Sequence, residues 1–248
     1  MARTSLGVDI GGTGIKAGIV DLDQGKLVSG RRRVPTPEPA TPDSVAGAVA
    51  GLVGDFDLGN PIGIGFPAVV VDGVVLTANN IDPIWIGVDA ASLFQEATGC
   101  KVVMVNDADA VALCEARYGA AKGVSGVVLV ITFGTGIGGA LLNGGELVPN
   151  LQIGDIELDG HYPCEDHFSA AAMESEDLDW EEWGARADRF LSHVHRVFYP
   201  ALIIVGGGVT KNWEDWSKYL SPDLKAVRAS RVNNAGIVGA ATLVEGGF

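Results

Sequence analysis

Positive charge is scarce in this chain: 17 Lys and Arg stand against 31 Asp and Glu, a formal net charge of −14 over 248 residues. Nucleic acids and anionic membrane surfaces are bound by basic faces, so the composition excludes both as general partners. A small anion can still be met by a locally positive site. Cysteine is equally sparse. Cys100, Cys114 and Cys164 are too few and too scattered for a disulfide framework and read as reduced thiols. Long apolar runs are missing too. The longest, 127–142, is interrupted by Gly134, Gly136, Gly138 and Gly139 and falls short of the roughly 20 residues of a membrane helix. Ser5 leads straight into a short strand pattern, with no secretory h-region before it. These absences predict a soluble, cytoplasmic protein with no membrane partner.

What the chain has in quantity is apolar residues and glycine. Hydrophobic residues make up 47%, a globular composition, and the length allows one large domain or two small ones. Two glycine-rich turns stand out, each directly after an apolar run: Asp9-Ile10-Gly11-Gly12-Thr13-Gly14-Ile15-Lys16, then Gly134-Thr135-Gly136-Ile137-Gly138-Gly139. Without a Cβ in the way, backbone N–H groups can close around phosphate oxygens. Two such loops suggest a phosphate chain gripped from two sides, and hence phosphoryl transfer. Neither is a Walker A sequence, because Gly-Lys-Ser/Thr is missing. The second loop satisfies G-x-G-x-x-G but runs on into Ala140-Leu141-Leu142, a strand pattern, whereas the dinucleotide fingerprint opens a helix.

Periodicity predicts strands at 6–10, 15–21 and 26–34, then a helix through about Val53 capped by Thr41 or Asp43. Strands follow at 61–66 and 73–77, a helix at 88–98, a strand at 101–105 and a helix at 107–118. The second half repeats the plan: a strand pair at 127–132 and 138–142, a helix near 168–172, a long helix at 180–198, a buried strand at 202–205 and a final helix after Asn234. Trp180, Trp183, Trp213 and Trp216 read as packing anchors. The pattern is a duplicated α/β architecture. We place an N-terminal α/β domain at 1–108 and a C-terminal one at 109–248, with the last helix free to pack back on the first domain.

Asp9 ends the first strand beside the glycine loop. A carboxylate there would crowd phosphate oxygens unless a metal stood between, so its natural role is to position Mg²⁺ through water. Thr13 and Lys16 add a hydroxyl and a positive charge; a glycine hairpin with a surface lysine is the plainer alternative. Asn106-Asp107 follows an apolar run, at the carboxyl end of a strand, where α/β sites usually lie. Asp107 is the candidate general base toward a sugar hydroxyl, a role worth about 10²–10⁴ in rate, and the Asn106 amide can fix the sugar. A helix cap explains the same pair. Gly206-Gly207-Gly208 bares backbone after Leu202-Ile203-Ile204-Val205, room for a nucleotide base or a second phosphate segment. Arg31-Arg32-Arg33 cannot all meet one ligand, since alternate strand residues face opposite ways. Arg186 and Arg189 read as surface ion pairs.

These pieces, in this order, resemble the sugar kinases of the ROK family within the actin-like ATPase superfamily. The segments 76–87 (LTANNIDPIWIG), 147–150 (LVPN), 157–161 (ELDGH), 180–191 (WEEWGARADRFL) and 233–241 (NNAGIVGAA) are most similar to its polyphosphate glucokinase branch. The resemblance implies a two-domain actin-like (ribonuclease H-like) fold with a cleft between the halves, and a homodimer. It implies phosphoryl transfer from ATP or polyphosphate to the 6-hydroxyl of glucose. Asp107 would be the base, and Asn80 and Asn106 would hold sugar hydroxyls. Gly11, Gly12, Thr13, Lys16, Thr135, Gly136, Gly206, Gly207 and Gly208 would hold the donor, with Mg²⁺ at Asp9.

Two departures stand at the expected sugar pocket. The family's Glu-x-Gly-His is here Gln152-Ile153-Gly154-Asp155. Glutamine removes a charged acceptor, and aspartate replaces a ring that can donate with an acceptor-only carboxylate. The family's further sugar-binding glutamate best matches Glu165. The departures leave open a kinase for a different sugar or polyol, or a non-catalytic sugar-binding paralogue. Many relatives hold zinc in a Cys-x-Cys-Gly-x-x-Gly-Cys segment that this chain lacks. His161, Cys164 and His167 recur at three-residue spacing, but Pro163 breaks their helical register and no zinc site is expected.

Overall fold

The computed structural model describes residues 3–56, 61–79, 81–230 and 234–246. Among these the chain divides into two α/β units, Met1–Cys114 with Asn233–Phe248 and Glu115–Val232. This division falls inside the helix Asp107–Tyr118, further along than the 108/109 boundary read from sequence.

The first unit runs β1 (Thr4–Gly11), β2 (Gly14–Asp21), β3 (Lys26–Leu27), β4 (Arg32–Val34), α1 (Pro42–Gly54), β5 (Ile62–Phe66), a hairpin of β6 (Val70–Val71) and β7 (Val74–Val75), α2 (Ala90–Thr98), β8 (Val102–Asn106) and α3 (Asp107–Tyr118). The second runs β9 (Val127–Phe133), β10 (Ile137–Asn143), β11 (Glu146–Val148), α4 (Glu165–Phe168), α5 (Ala170–Ser175), α6 (Trp180–Phe198), β12 (Leu202–Gly207), α7 (Trp213–Trp216) and β13 (Ala226–Arg228). The chain then rejoins the first unit as α8 (Ala235–Thr242).

The two sheets share one topology. The first has the order β3-β2-β1-β5-β8, with β4 also on β2; the second has β11-β10-β9-β12-β13. Each opens with an antiparallel pair, β1–β2 or β9–β10, and continues with parallel neighbours. The predicted strand 26–34 is split into β3 and β4. The Ser29 hydroxyl accepts the Ile19 N–H at 2.9 Å, taking the place of a ladder carbonyl where the strand bends. The predicted helix near 168–172 is likewise two short helices. Ser169 lies between them in extended conformation and caps α5 by accepting the Ala172 N–H.

One face of the first sheet carries Leu6, Val8, Ile10, Ile15 and Ala17 against α1, α2 and the aromatic group Phe66, Trp85 and Phe94. Trp85 reconciles its burial with its indole N–H by donating to Ala40 O at 2.8 Å. In the second unit, α6 starts at a capping box formed by Asp179 and Glu182. It buries Trp183, Ala187, Phe190, Leu191 and Val194, an i, i+4, i+7, i+8, i+11 stripe. Trp180, Trp183, Trp216 and Trp213 meet edge to face along this core. Arg186 and Arg189 form ion pairs with Glu176 and Asp159. Among the described residues no helix is long and apolar enough to cross a membrane.

The opposite face of the first sheet is covered by α8 at a distance set by backbone. A Cβ on Gly7 would stand 1.9 Å from Ile237 O, one on Gly63 would stand 1.8 Å from Ala240 O, and one on Gly239 would stand 1.6 Å from Ala110 O. These contacts hold α8 against β1, β5 and α3. Gly239→Ala should lower the unfolding free energy by about 1–3 kcal/mol or more through overpacking. Gly47→Ala, in α1 with nothing within 4 Å of the new methyl, should raise it by about 0.5–1 kcal/mol. Urea denaturation of both variants checks the pair; equal effects would mean that α8 is not packed on its glycines.

Candidate active site

In the first unit, β1 and β2 pair in strict antiparallel register down to Gly11↔Gly14, so Gly12 and Thr13 form the turn. Asp9 and Lys16 are cross-strand partners, and Lys16 Nζ lies 3.0 Å from Asp9 Oδ2. The turn is braced from outside: Thr36 Oγ1 donates to Gly11 O at 2.5 Å, and the Arg33 guanidinium donates to Thr13 O at 3.0 Å. Asp9 also meets the start of α8, where only glycine fits. A Cβ on Gly236 would lie 2.7 Å from the Asp9 carboxyl carbon.

Asp107 opens α3 directly after β8. Parallel pairing sets Asp9 opposite Gly65, and Gly65 opposite Val105. A Cβ on Gly65 would lie 3.3 Å from the Ala110 Cβ and 3.6 Å from the Asp107 Cα, so Gly65 faces the first turn of α3. The Asp107 Oδ1 accepts the Ala108 N–H at 2.7 Å. Burial pushes this carboxyl up to about 7; the negative charge of Asp9 adds to the rise, and Asp109 adds less. The Ala108 N–H and the Lys16 charge pull the other way. Asp9, Lys16 and Asp107 thus form one electrostatic group.

Asn106 is 7% exposed and committed to backbone: its Oδ1 accepts the Ala108 N–H at 2.9 Å and its Nδ2 donates to Ala68 O at 3.0 Å. It fixes the turn after β5 to the start of α3. Asn80 lies outside the described residues.

In the second unit the Gly134–Gly136 turn closes with Gly134 N–H donating to Gly136 O at 3.0 Å, and Thr135 is exposed at its tip. Gly134 O accepts the Ala171 N–H. Where β10 leaves the turn, the Ile137 N–H donates to Glu165 Oε2 at 2.8 Å. Glu165 is 9% exposed; burial raises its pKa, and Asp155 and Asp166 add to this. Gln152 precedes a 3₁₀ turn, Ile153–Asp155, which packs on the same carboxylate. A Cβ on Gly154 would stand 2.6 Å from Glu165 Oε2. Cys164 Sγ donates to Gly154 O at 3.3 Å, and burial pushes this thiol up to about 12. Gln152, Asp155 and Glu165 are therefore gathered at the exit of the second loop.

The three glycines at the end of β12, Gly206 and Gly207 within it and Gly208 just after it, differ from one another. Gly207 has φ 89°, and a Cβ there would stand 2.0 Å from Phe133 O, so it is required by strand packing. A Cβ on Gly206 would touch Thr132 Cγ2 at 3.1 Å, while Gly208 has open space. The His161 and His167 rings stack at 3.7 Å, and Cys164 points at backbone carbonyls. Among the described residues no group of three His, Cys, Asp or Glu is arranged to hold a metal ion. The sequence marks Gly236 as part of a close-packing face but leaves Thr36 and the bracing role of Arg33 unmarked. Both of these act through pairing between segments distant in the chain, which leaves no local signal.

The polyphosphate glucokinase of Mycobacterium tuberculosis is 42% identical over 240 residues, covering 96% of this chain and 90% of that protein. The inorganic polyphosphate/ATP-glucomannokinase of Arthrobacter sp. strain KM superposes with a TM-score of 0.95 at 47% identity, covering 98% of both chains. A ROK family glucokinase from Streptomyces griseus, solved with glucose and AMPPNP, gives a TM-score of 0.84 at 27% identity over 98% of this chain and all of its own. The two like-ordered sheets are those of the actin-like ATPase fold of these kinases. Residues 5–171, from the first strand to the α4–α5 segment, match the ROK family, and the chain belongs to it.

Proposed function

We propose that this protein is a hexose kinase that transfers a phosphoryl group from inorganic polyphosphate or ATP to the 6-hydroxyl of glucose. The observation that carries the reading is Asp107. It is a half-buried carboxylate whose desolvation raises it to about 7, at the carboxyl end of the edge strand β8 and grouped with Asp9 and Lys16. A base poised near the working pH is what hydroxyl activation needs. Relatives at 42% and 47% identity over nearly the whole chain, named for polyphosphate- and ATP-dependent glucose phosphorylation, support the same assignment over the polyol-kinase and non-catalytic alternatives.

In this reading Asp107 accepts the proton of the 6-hydroxyl as that oxygen bonds to the terminal phosphorus. The bond from phosphorus to the leaving phosphate breaks, and the electron pair stays on the shortened donor. Such transfers depend on positioning and on charge stabilisation more than on covalent chemistry. Lys16 supplies positive charge, and Gly11, Gly12 and Thr13 supply backbone donors for donor phosphates. Thr135, Gly136 and Gly208 are the donor-binding elements of the second unit, with Gly206 and Gly207 serving the strand beneath. Gln152, Asp155, Glu165 and Asn80 are the sugar-contact candidates that the family likeness assigns, while the Asn106 amide braces the start of α3 beside Asp107. Asp9 fits Mg²⁺: a single carboxylate beside a glycine loop suits an ion that keeps water and takes its other ligands from phosphates. When bound, Mg²⁺ would neutralise charge on the donor. The free thiols suit the cytoplasm, and family likeness supports a homodimer.

Asp107→Ala should lower kcat at least 100-fold in a coupled assay with Mg²⁺, glucose and either donor; near-wild-type turnover would remove Asp107 from the mechanism. Because the base must be ionised and its pKa is raised, kcat/KM for glucose should fall tenfold per pH unit below about 7. A profile flat down to pH 5 would contradict the desolvated base. Gln152→Glu combined with Asp155→His should raise kcat/KM for glucose about tenfold by restoring hydrogen bonds involving charged groups. No gain in steady-state kinetics would mean that the sugar contacts lie elsewhere.

A further inference from the structure

The register of the first sheet lines up a row that the chain sequence does not display. Asp9 is opposite Lys16, and Lys16 is opposite Arg33, across the adjacent strands β1, β2 and β4. Cross-strand partners share a face, so Asp9, Lys16 and Arg33 stand side by side. With strands about 4.8 Å apart, Arg33 lies about 10 Å from Asp9 along the row. On the other side of Asp9 come Gly65 and the strand that leads to Asp107. The cations therefore extend away from the base, starting at the glycine turn.

Arg33 is not simply a solvated strand residue. Its guanidinium is folded inward over Gly14: a Cβ there would stand 2.6 Å from Nη2 and 2.7 Å from Nε. Gly14 meets nothing else that closely, so the glycine at this position makes room for the guanidinium. One N–H is engaged with Thr13 O. A guanidinium has five donors in a rigid fork suited to phosphate, and the residue is exposed. In a chain of net charge −14, a two-cation extension of the phosphate turn is a local inversion of the prevailing sign.

We propose that Arg33 is a donor-specificity residue that binds donor phosphates remote from the transferred one, and so favours polyphosphate over ATP. The proposal rests on the kinase reading for the identity of the donor. Its physical basis is length. The triphosphate of ATP soon gives way to an uncharged ribose and base, whereas every further unit of polyphosphate carries charge along the row. A fork beyond Lys16 therefore gains more from the longer anion.

The test measures binding of long-chain polyphosphate and of ATP, each with Mg²⁺, by titration calorimetry on the intact protein and its variants. Arg33→Ala should weaken polyphosphate binding at least tenfold more than ATP binding, in line with loss of a charge-assisted hydrogen bond. Arg33→Lys should retain part of the preference as a point charge. Gly14→Ala, which displaces the guanidinium without removing it, should shift the same ratio in the same direction. A ratio of the two affinities unchanged in Arg33→Ala, whether both fall equally or neither falls, would overturn the proposal and leave Arg33 a brace of the turn. Glucose phosphorylation by the wild type is scored separately. A protein that binds polyphosphate through Arg33 yet phosphorylates no hexose would overturn the kinase reading alone.

Discussion

Where α8 crosses β1 and β5, backbone touches backbone, and glycine is the one residue that permits it. Gly7, Gly63 and Gly239 remove the side chains that would otherwise separate the helix from the sheet and from α3. This approach brings Gly236 against the Asp9 carboxylate and seats Ala110, one turn into α3, under the helix. The directions of Asp9 and Asp107 thus follow from packing that involves almost no side-chain volume. Interiors packed this tightly do not deform continuously, so the carboxylates are held by a surface with little freedom to shift.

That rigidity has an electrostatic counterpart. Asp9 on β1 and Asp107 at the start of α3 repel each other, and desolvation sharpens the repulsion. Lys16, bonded to Asp9, offsets part of it; Asp107, with one backbone N–H, carries a pKa raised by its burial first and by the charge of Asp9 second. The asymmetry separates their roles: one carboxylate is tied to a cation beside the phosphate turn, and the other is left able to exchange a proton near neutral pH.

Much of this was legible in the sequence because its carriers are local. The two glycine turns, the helix Asp107–Tyr118 and the helix Trp180–Phe198 each announce themselves through contiguous residues and caps. Asp9, Lys16 and Asp107 follow from strand ends and turn spacing. What stayed hidden depends on pairing. Ser29 breaks a strand only because Ile19 lies opposite, and β13 is a short run whose strand character comes from its parallel partner β12. Asn106 has the composition of a sugar ligand, and its amide also bonds Ala68 O, 38 positions earlier in the chain, a brace that the sequence does not display. Arg33 joins the site only through register. Glu165 could be matched by likeness, yet its hold on the start of β10 could not.

The connectivity of α8 has a consequence for synthesis. The helix that completes the surroundings of Asp9 is translated only after all of the second unit. During elongation β1 and β5 therefore present a bare glycine-lined face while more than a hundred residues are still to come, as the span Glu115–Val232 shows. Domains generally form in order from the N-terminus, but here the first unit cannot finish first. The nascent chain carries Asp9 and Asp107 early and gains the helix packed against Asp9 late, so the surroundings of these carboxylates are completed only after both units have been translated.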